Sequence, residues 1–349
     1  MSKLYNHTQL SEFGTKMLVK AGLPDDRARI VSETLLEADL MGHTTHGLAL
    51  LPLYAKEVIN GMMPAIGMPE TIKDSGATIT WDGKYLPGPW LTHHAIDIAF
   101  ERIKKHPVIT ISIGQSHHIG CLAAYPERAT KKGLMMLLSS SDPRNATVAP
   151  FGGLSGVYSP NPLAAGIPTK GDPIILDVSM STTANGLVNR SHQLGEKLPH
   201  PWLQDNKGSI TDDPAAFVEE PPATILPLGG LDTGYKGFAL GILMEALTSG
   251  LAGNGRYDKP TSWGASVFLQ VIDPEAFGGL AHLINQTQHL VDACLASEPK
   301  DVNNPVRIPG NRALQLRDKQ KVGGVELHPA IMPALEQCAK DLGVEMTNW

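Results

Sequence analysis

VITISIGQSHHIG, residues 108–120, decides how this chain is read. Its first half, VITISIG (108–114), is an apolar, β-branched run that reads as a buried strand. Its second half, SHHIG (116–120), is polar and precedes a helix expected from Ile119 to Lys132. The end of a strand just before a helix is the usual address of ligand-contacting loops in α/β folds. GLMMLLSS (133–140), PIILDVS (173–179) and ASVFLQVID (265–273) read as further buried strands. Tyr235 to Ala252 reads as a helix, and its most apolar part, Phe238 to Leu251, is expected to be buried, since it contains Glu245 and is too short to span a membrane. Asn189 to Pro227, rich in Pro, Asp and Gly, reads as a long excursion. The class is α/β.

Toward the N-terminus, Val31, Leu35 and Ala38 recur at helical spacing behind Pro24, Asp25 and Asp26, which suit a first turn. A second helix is expected from His46 to Asn60, capped by Thr45 and stopped by Gly61. Toward the C-terminus, Leu283, Leu290 and Cys294, then Ile331, Leu335, Cys338 and Leu342, predict two helices around a loop containing RIPGNR (307–312).

At 349 residues the chain is long enough for two compact units. A formal charge of −6 leaves no surplus of Lys or Arg for a nucleic acid. Cys121, Cys294 and Cys338 form no CxxC pair, which argues against a disulfide framework and a structural zinc and for a reducing compartment. MSKLYNHTQLSEF lacks the apolar stretch of a signal peptide, and no membrane-length apolar run occurs, so a cytoplasmic protein is expected. GxGxxG, GxxxxGK[ST], HExxH and GxSxG are all missing, so the chemistry must be sought in the histidines.

Four clusters could carry it. GHTTHG (42–47) places His43 and His46 around two threonines where a helix is expected; a histidine near neutral pKa can pass a proton to or from a carbonyl or imine. A capped helix with locally satisfied histidines is the plainer alternative. In SHHIG, His118 is a proton-transfer or cofactor-contact candidate, and Gly120 allows close backbone approach. His118 and Cys121 have metal-ligand spacing but no third and fourth ligand at matching spacing, so a metal-dependent hydrolase or lyase would have to add His43 and His46. IILDVSMS (174–181) ends a strand with an aspartate and hydroxyls suited to ribose, or is a solvated terminus. GYKGFALG (234–241) sets a lysine between glycines at an expected helix start, a place that favours phosphate.

In order and spacing, GHTTHG, SHHIG, VAPFGG (148–153), NPLAAGIP (161–168), LDVS (176–179), GYKGFALG and IPG (308–310) resemble the type-2 malate/L-lactate dehydrogenase family. That family includes sulfolactate and ureidoglycolate dehydrogenases and piperideine-2-carboxylate reductase. The resemblance implies a non-Rossmann NAD(P)-binding domain with a mixed, largely antiparallel sheet over 116–299. It also implies a helical domain built from both chain ends, 1–115 and 300–349, and a homodimer. It implies NAD or NADP as cofactor and a small 2-oxo acid, 2-hydroxy acid or cyclic imino acid as substrate, with no metal. By the same resemblance His46 and His118 share the acid/base role, and Thr45 orients His46. His118, Ile119, Gly120, Asp142, Asp177, Val178, Ser179, Met180, Ser181, Lys236, Gly237, Pro309, Gly310 and Asn311 match cofactor-contacting segments.

Three departures stand out. Leu50 replaces the arginine that grips the substrate carboxylate, Pro160 replaces a threonine, and Leu187 replaces an acidic residue. Leu50 is then expected to line the substrate pocket, and either Arg144 or Arg190 substitutes as the cation or the substrate is larger and less acidic. The competing readings are a metal-dependent hydrolase or lyase and a catalytically silent nucleotide-binding relative.

Overall fold

The computed structural model describes residues 3–346 and 349. Strand β1 (Leu4–Tyr5) leads into α1 (His7–Ala21), which starts where the Asn6 carboxamide accepts the Thr8 and Gln9 N–H groups at 2.9 and 3.1 Å. As expected, α2 (Asp25–Leu40) follows Pro24 and carries Asp25 and Asp26 in its first turn. The next helix does not begin at His46. A 3₁₀ turn over Leu48–Leu50 precedes α3 (Leu51–Ile59), and Thr45 caps neither. The reason lies in α2: the buried Asp39 carboxylate takes the Leu48 N–H at 2.6 Å, so a distant side chain holds this end.

β2 (Glu70–Asp74) and β3 (Thr78–Asp82) form a hairpin, and α4 (Gly88–Arg102) crosses over to β4 (Val108–Ser116), which runs parallel to β3. The helix expected over 119–132 is reduced to a 3₁₀ turn, Leu122–Ala124, and the short α5 (Glu127–Thr130). Gly120 at φ +72° and Pro126 break the helical path. β5 (Met135–Ser141), β6 (Leu163–Ile167) and β7 (Ile174–Val178) follow. The 189–227 excursion begins within α6 (Asn185–Leu194) and folds β8 (Leu203–Gln204), β9 (Ile210–Thr211) and β10 (Thr224–Ile225) into a small sheet. Then come α7 (Gly230–Glu245), β11 (Ala265–Ile272), α8 (Leu280–Leu295), α9 (Asn311–Gly323), β12 (Val325–Glu326) and α10 (Ile331–Leu342).

Among the described residues the main sheet has seven strands in the order β2-β3-β4-β11-β5-β6-β7, with β3 and β4 parallel and the other pairs antiparallel. It is mixed, as the resemblance implied. All four strands read from the sequence lie in it. A boundary between residues 115 and 116 would fall inside β4, and the β3–α4–β4 crossover ties the chain from Glu70 onward to the same sheet.

Ile109, Ile111 and Ile113 alternate along β4 and join Leu91, Ala95 and Ile96 of α4 in one core. Each fully buried isoleucine contributes roughly 1.5–3 kcal/mol. The opposite face is polar where Thr248 donates to Ser141 at 2.8 Å and Ser139 to the Pro162 carbonyl at 2.8 Å. A second core joins Phe13, Leu35 and Tyr54 to Val325, Ile331 and Leu335 from the far end of the chain, and β1 pairs with β12.

The apolar part of α7 is not buried as expected: Leu240, Ile242 and Leu243 are 41, 52 and 48% exposed. Its glycines explain why. Gly234, Gly237 and Gly241 form the face that packs on Phe151, Leu228 and Tyr158, so the large side chains point away.

Candidate active site

The loop after α2 and the loop after β4 meet at His46 and His118, whose rings lie 5.9 Å apart and 29° from parallel. The Thr45 hydroxyl lies 2.9 Å from His46 Nδ1, within hydrogen-bond reach. His118 Nδ1 lies 2.7 Å from the Tyr54 hydroxyl and accepts the Gly120 N–H at 3.3 Å. A nitrogen that accepts a backbone N–H carries no proton, so neutral His118 holds its proton on Nε2. Trp263 stacks on the outer face of His118 at 4.9 Å. Gly88 lets this loop seat on α4, because a Cβ there would collide with the carbonyls of His117 and His118. Gly120, in the left-handed region, brings its Cα toward the His46 carbonyl.

The surroundings set the charge state. Burial lowers the His46 pKa, Asp177 opposes this, and His43 and Arg190 reinforce it. Burial, with His46 and His117 nearby, holds His118 well below the ordinary imidazole value. Both rings are therefore neutral at neutral pH. His117, pushed down to about 3 by burial, also stays neutral, so its 3.5 Å approach to Glu57 is not an ion pair.

Behind the loop, Asp39 is pushed up to about 7 by burial, against the Leu48 N–H and Arg190. A Cβ on Gly47 would collide with its carboxylate. On the other side α6 covers the loop. Gly186 faces Thr45 and His46, and the Arg190 guanidinium donates to the Thr44 hydroxyl at 2.7 Å and to the Thr44 carbonyl.

A cavity of about 700 Å³ is lined by His43, Asp177, Val178, Pro309 and Gly310 among others, and its link to the pair is through His43 on the His46 loop and Asp177, whose charge acts on His46. Asp177 Oδ2 accepts the Ala123 N–H at 2.9 Å. The Ile175 N–H donates to the Pro309 carbonyl at 3.1 Å, and Gly310, at φ +93°, lies so close to Ile175 that a Cβ would come within 2.9 Å of its backbone. Asn311 opens α9 beside them.

Several expected site residues have structural work of their own. Ser179 and Ser181 donate to the Ser181 and Thr183 carbonyls at 3.0 and 2.7 Å. Met180 is buried and donates its N–H to the Pro160 carbonyl at 2.7 Å. Ile119 is buried in the sheet core. The Asp142 carboxylate closes a turn on the Arg144 and Asn145 N–H groups at 3.0 and 3.3 Å. Gly237 packs on the Leu228 backbone. Lys236 is exposed and lies in the second turn of α7, which begins at Gly230, so its own N–H is not at a helix start as expected. Leu50 packs against the helical core, and Arg144 is exposed. Leu187 packs in a small core with Val188 and Leu203.

The metal constellation does not assemble. His118 Nδ1 is taken by Tyr54 and Gly120, Cys121 Sγ lies 3.6 Å from Asp177, and no group of three metal-capable side chains occurs among the described residues. Sequence reasoning missed Tyr54 and Trp263 as supports and Asp39 as the loop anchor. An aspartate on the apolar face of α2, between Ala38 and Leu40, was the signal for Asp39.

Known proteins place the chain in a family. Residues 5–336 match the family model described as malate/L-lactate dehydrogenase. A malate/(S)-sulfolactate dehydrogenase of Methanothermus fervidus is 27% identical, over 95% of this chain and 96% of its own. A (2R)-3-sulfolactate dehydrogenase (NADP(+)) of Chromohalobacter salexigens is 28% identical, over 97% of this chain and 99% of its own. A solved dehydrogenase from Sinorhizobium meliloti superposes with a TM-score of 0.85 at 30% identity, covering 97% of this chain and 98% of its own. The chain belongs to the malate/L-lactate dehydrogenase family. It is an oxidoreductase of hydroxy acids.

Proposed function

We propose that the enzyme moves a hydride between NAD or NADP and a small 2-oxo acid, 2-hydroxy acid or cyclic imino acid, with His46 and His118 handling the proton. The observation that carries this reading is the pair of neutral, stacked histidines, one of them acted on by Asp177 of a cavity of about 700 Å³. The residues present fit the cofactor. Asp177 and Val178, with Pro309 and Gly310 bonded alongside their strand and Asn311 next in the chain, would hold it, and the bare Cα of Gly310 lets that loop seat on Ile175. Exposed Lys236 offers an ammonium to phosphate. When bound, the nicotinamide ring supplies or accepts the hydride.

The chain's own residues manage the rest. His118, with its proton on Nε2, gives a hydrogen bond that polarises the substrate oxygen or imine nitrogen and keeps that proton, so the one proton of the reaction passes through His46. His46, oriented by Thr45 through Nδ1, keeps Nε2 free to take the hydroxyl proton in oxidation and to return it in reduction. Arg190 uses two donors on Thr44, and its remaining N–H groups suit the substrate carboxylate.

The exposed apolar side chains of α7, Leu231, Tyr235, Leu240, Ile242 and Leu243, suit a homodimer interface. Sedimentation of a single-chain mass would count against it. Three free cysteines suit the reducing cytoplasm, and no helix among the described residues is long and apolar enough to cross a membrane. Titrating the protein into NADH and NADPH tests the central reading: enhanced, blue-shifted nicotinamide fluorescence is expected, and no change with either would refute it.

A further inference from the structure

We infer that Trp263 is the positioning residue that fixes His118 as an Nε2–H donor, by stacking on its ring and closing that face to water. This rests on the nicotinamide reading above and adds the residue that keeps one of its two histidines neutral and oriented. Strand register brings the two side chains together. β11 runs antiparallel to β4 with Ala265 opposite Ser116, so residue 263, two back from Ala265, falls across from residue 118, two on from Ser116. Gly264 allows that close pass, since a Cβ there would come within 2.7 Å of the Ser116 carbonyl oxygen and 2.8 Å of the Tyr85 ring. The Trp263 indole then lies 4.9 Å from the His118 imidazole and 24° from parallel, while His46 stacks on His118 at 5.9 Å. The indole is braced in turn. It stands edge-on to Tyr54 at 5.8 Å and to His117 at 4.9 Å, and it packs on the helical core.

A ring stacked in this way offers its polar atoms along its edge. Nδ1 accepts the Gly120 N–H at 3.3 Å and lies 2.7 Å from the Tyr54 hydroxyl, which leaves Nε2–H for the substrate. The titratable groups around His118 are His46 from the loop after α2, Tyr54 from α3 and His117 from its own loop, with Glu57 of α3 beyond His117. Ser262, Trp263 and Gly264 bring none. The indole has two opposed effects: its π face favours an imidazolium, and its exclusion of water disfavours one. Exclusion dominates, because His118 is held well below the ordinary imidazole value with the indole in place. Protonation would put a hydrogen on Nδ1 against the Gly120 N–H. It would also set a positive charge on the ring stacked 5.9 Å from His46, which has to accept the substrate proton. Trp263 prevents both.

The test compares the wild type with Trp263→Phe, which keeps an aromatic face, and Trp263→Ala, which opens it. Should the alanine variant not fold, Trp263→Gln, which fills the space with a polar group, carries the same prediction. Imidazole titrations are followed by NMR of histidine labelled at Cε1, with the His118 signal assigned by its loss in His118→Gln. In parallel, kcat and KM for oxidation of a 2-hydroxy acid are measured from about pH 5 to pH 9, a range that brackets the ordinary imidazole value. In Trp263→Ala, His118 should titrate about one pH unit or more above the wild type, and the acid limb of kcat should move up with it. At pH 7, kcat should fall about tenfold or more while KM for the cofactor stays within about threefold. Trp263→Phe should recover most of the rate and bring the titration within about half a pH unit of the wild type. An unshifted His118 titration in Trp263→Ala would overturn the inference. Equal losses in the phenylalanine and alanine variants, with unshifted acid limbs, would make Trp263 a packing residue and overturn it too. If the wild type oxidises no 2-hydroxy acid with either cofactor, the nicotinamide reading fails, and the NMR titration alone decides the role of Trp263.

Discussion

The imidazoles of His46 and His118 stack 5.9 Å apart, although one is carried by the loop after α2 and the other by the loop after β4 of the main sheet. Each is anchored through Nδ1, His46 by Thr45 and His118 by Tyr54 and Gly120, so that Nε2 of each remains for chemistry. His46→Ala and His118→Ala should each lower kcat by about a hundredfold or more while cofactor affinity stays within about threefold. Thr45→Val, which loses orientation alone, should cost about tenfold. Because burial lowers both pKa values, oxidation, which needs a neutral base, should lose rate only as the pH falls below the ordinary imidazole range. Steady-state rates with parallel cofactor titrations check this.

Arg190 is the cation beside the His46 loop, and Arg144 is an exposed residue next to Asp142. Arg190→Ala should raise KM for a 2-oxo acid by about 10- to 100-fold, the range for a charge-assisted pair, and Arg144→Ala by about twofold at most. Leu50→Arg should lower stability by about 1–3 kcal/mol without drawing the enzyme toward dicarboxylates, since Leu50 packs on the helical core. A substrate panel with each variant decides between the two arginines.

Asp39 makes the His46 loop sensitive to pH. Its carboxyl is raised from 3.8 to about 7 in the folded protein, so the folded state holds this proton more tightly than the unfolded one. The stabilising contribution is complete below about pH 4 and is lost as the pH rises through 7. Asp39→Asn keeps an acceptor for the Leu48 N–H and removes the titration. Between pH 5 and pH 8 the wild type should lose about 2–3 kcal/mol more stability than Asp39→Asn. Urea denaturation of both proteins at the two pH values measures the difference, and parallel curves would mean that Asp39 titrates normally.

What the sequence disclosed follows from the range of the forces involved. β4, β5, β7 and β11 were legible because short apolar runs, β-branched in all but β5, announce buried strands without outside help. The start of α2 was legible because Pro24, Asp25 and Asp26 act within one turn. The start of α3 was not, because the contact that fixes it runs from Asp39 to Leu48 across the preceding turn. The buried setting expected for α7 failed for a related reason. Its glycines, read as an approach for phosphate, serve instead to seat the helix on Phe151, Leu228 and Tyr158, and that turns the leucines outward. The two histidines of the site could be named from their loops, but their supports, Tyr54 and Trp263, look like ordinary core residues until the chain is folded.

The central claim is that His46 and His118 serve hydride transfer between a nicotinamide and an oxo acid or cyclic imine. The most direct measurement is oxidation of NADH and NADPH by the wild type and by the two histidine variants, with a panel of 2-oxo acids and cyclic imines. Consumption of reduced cofactor with at least one substrate, falling about a hundredfold in both variants, is the predicted result. Consumption that both variants sustain, or none with any substrate despite tight cofactor binding, would contradict it.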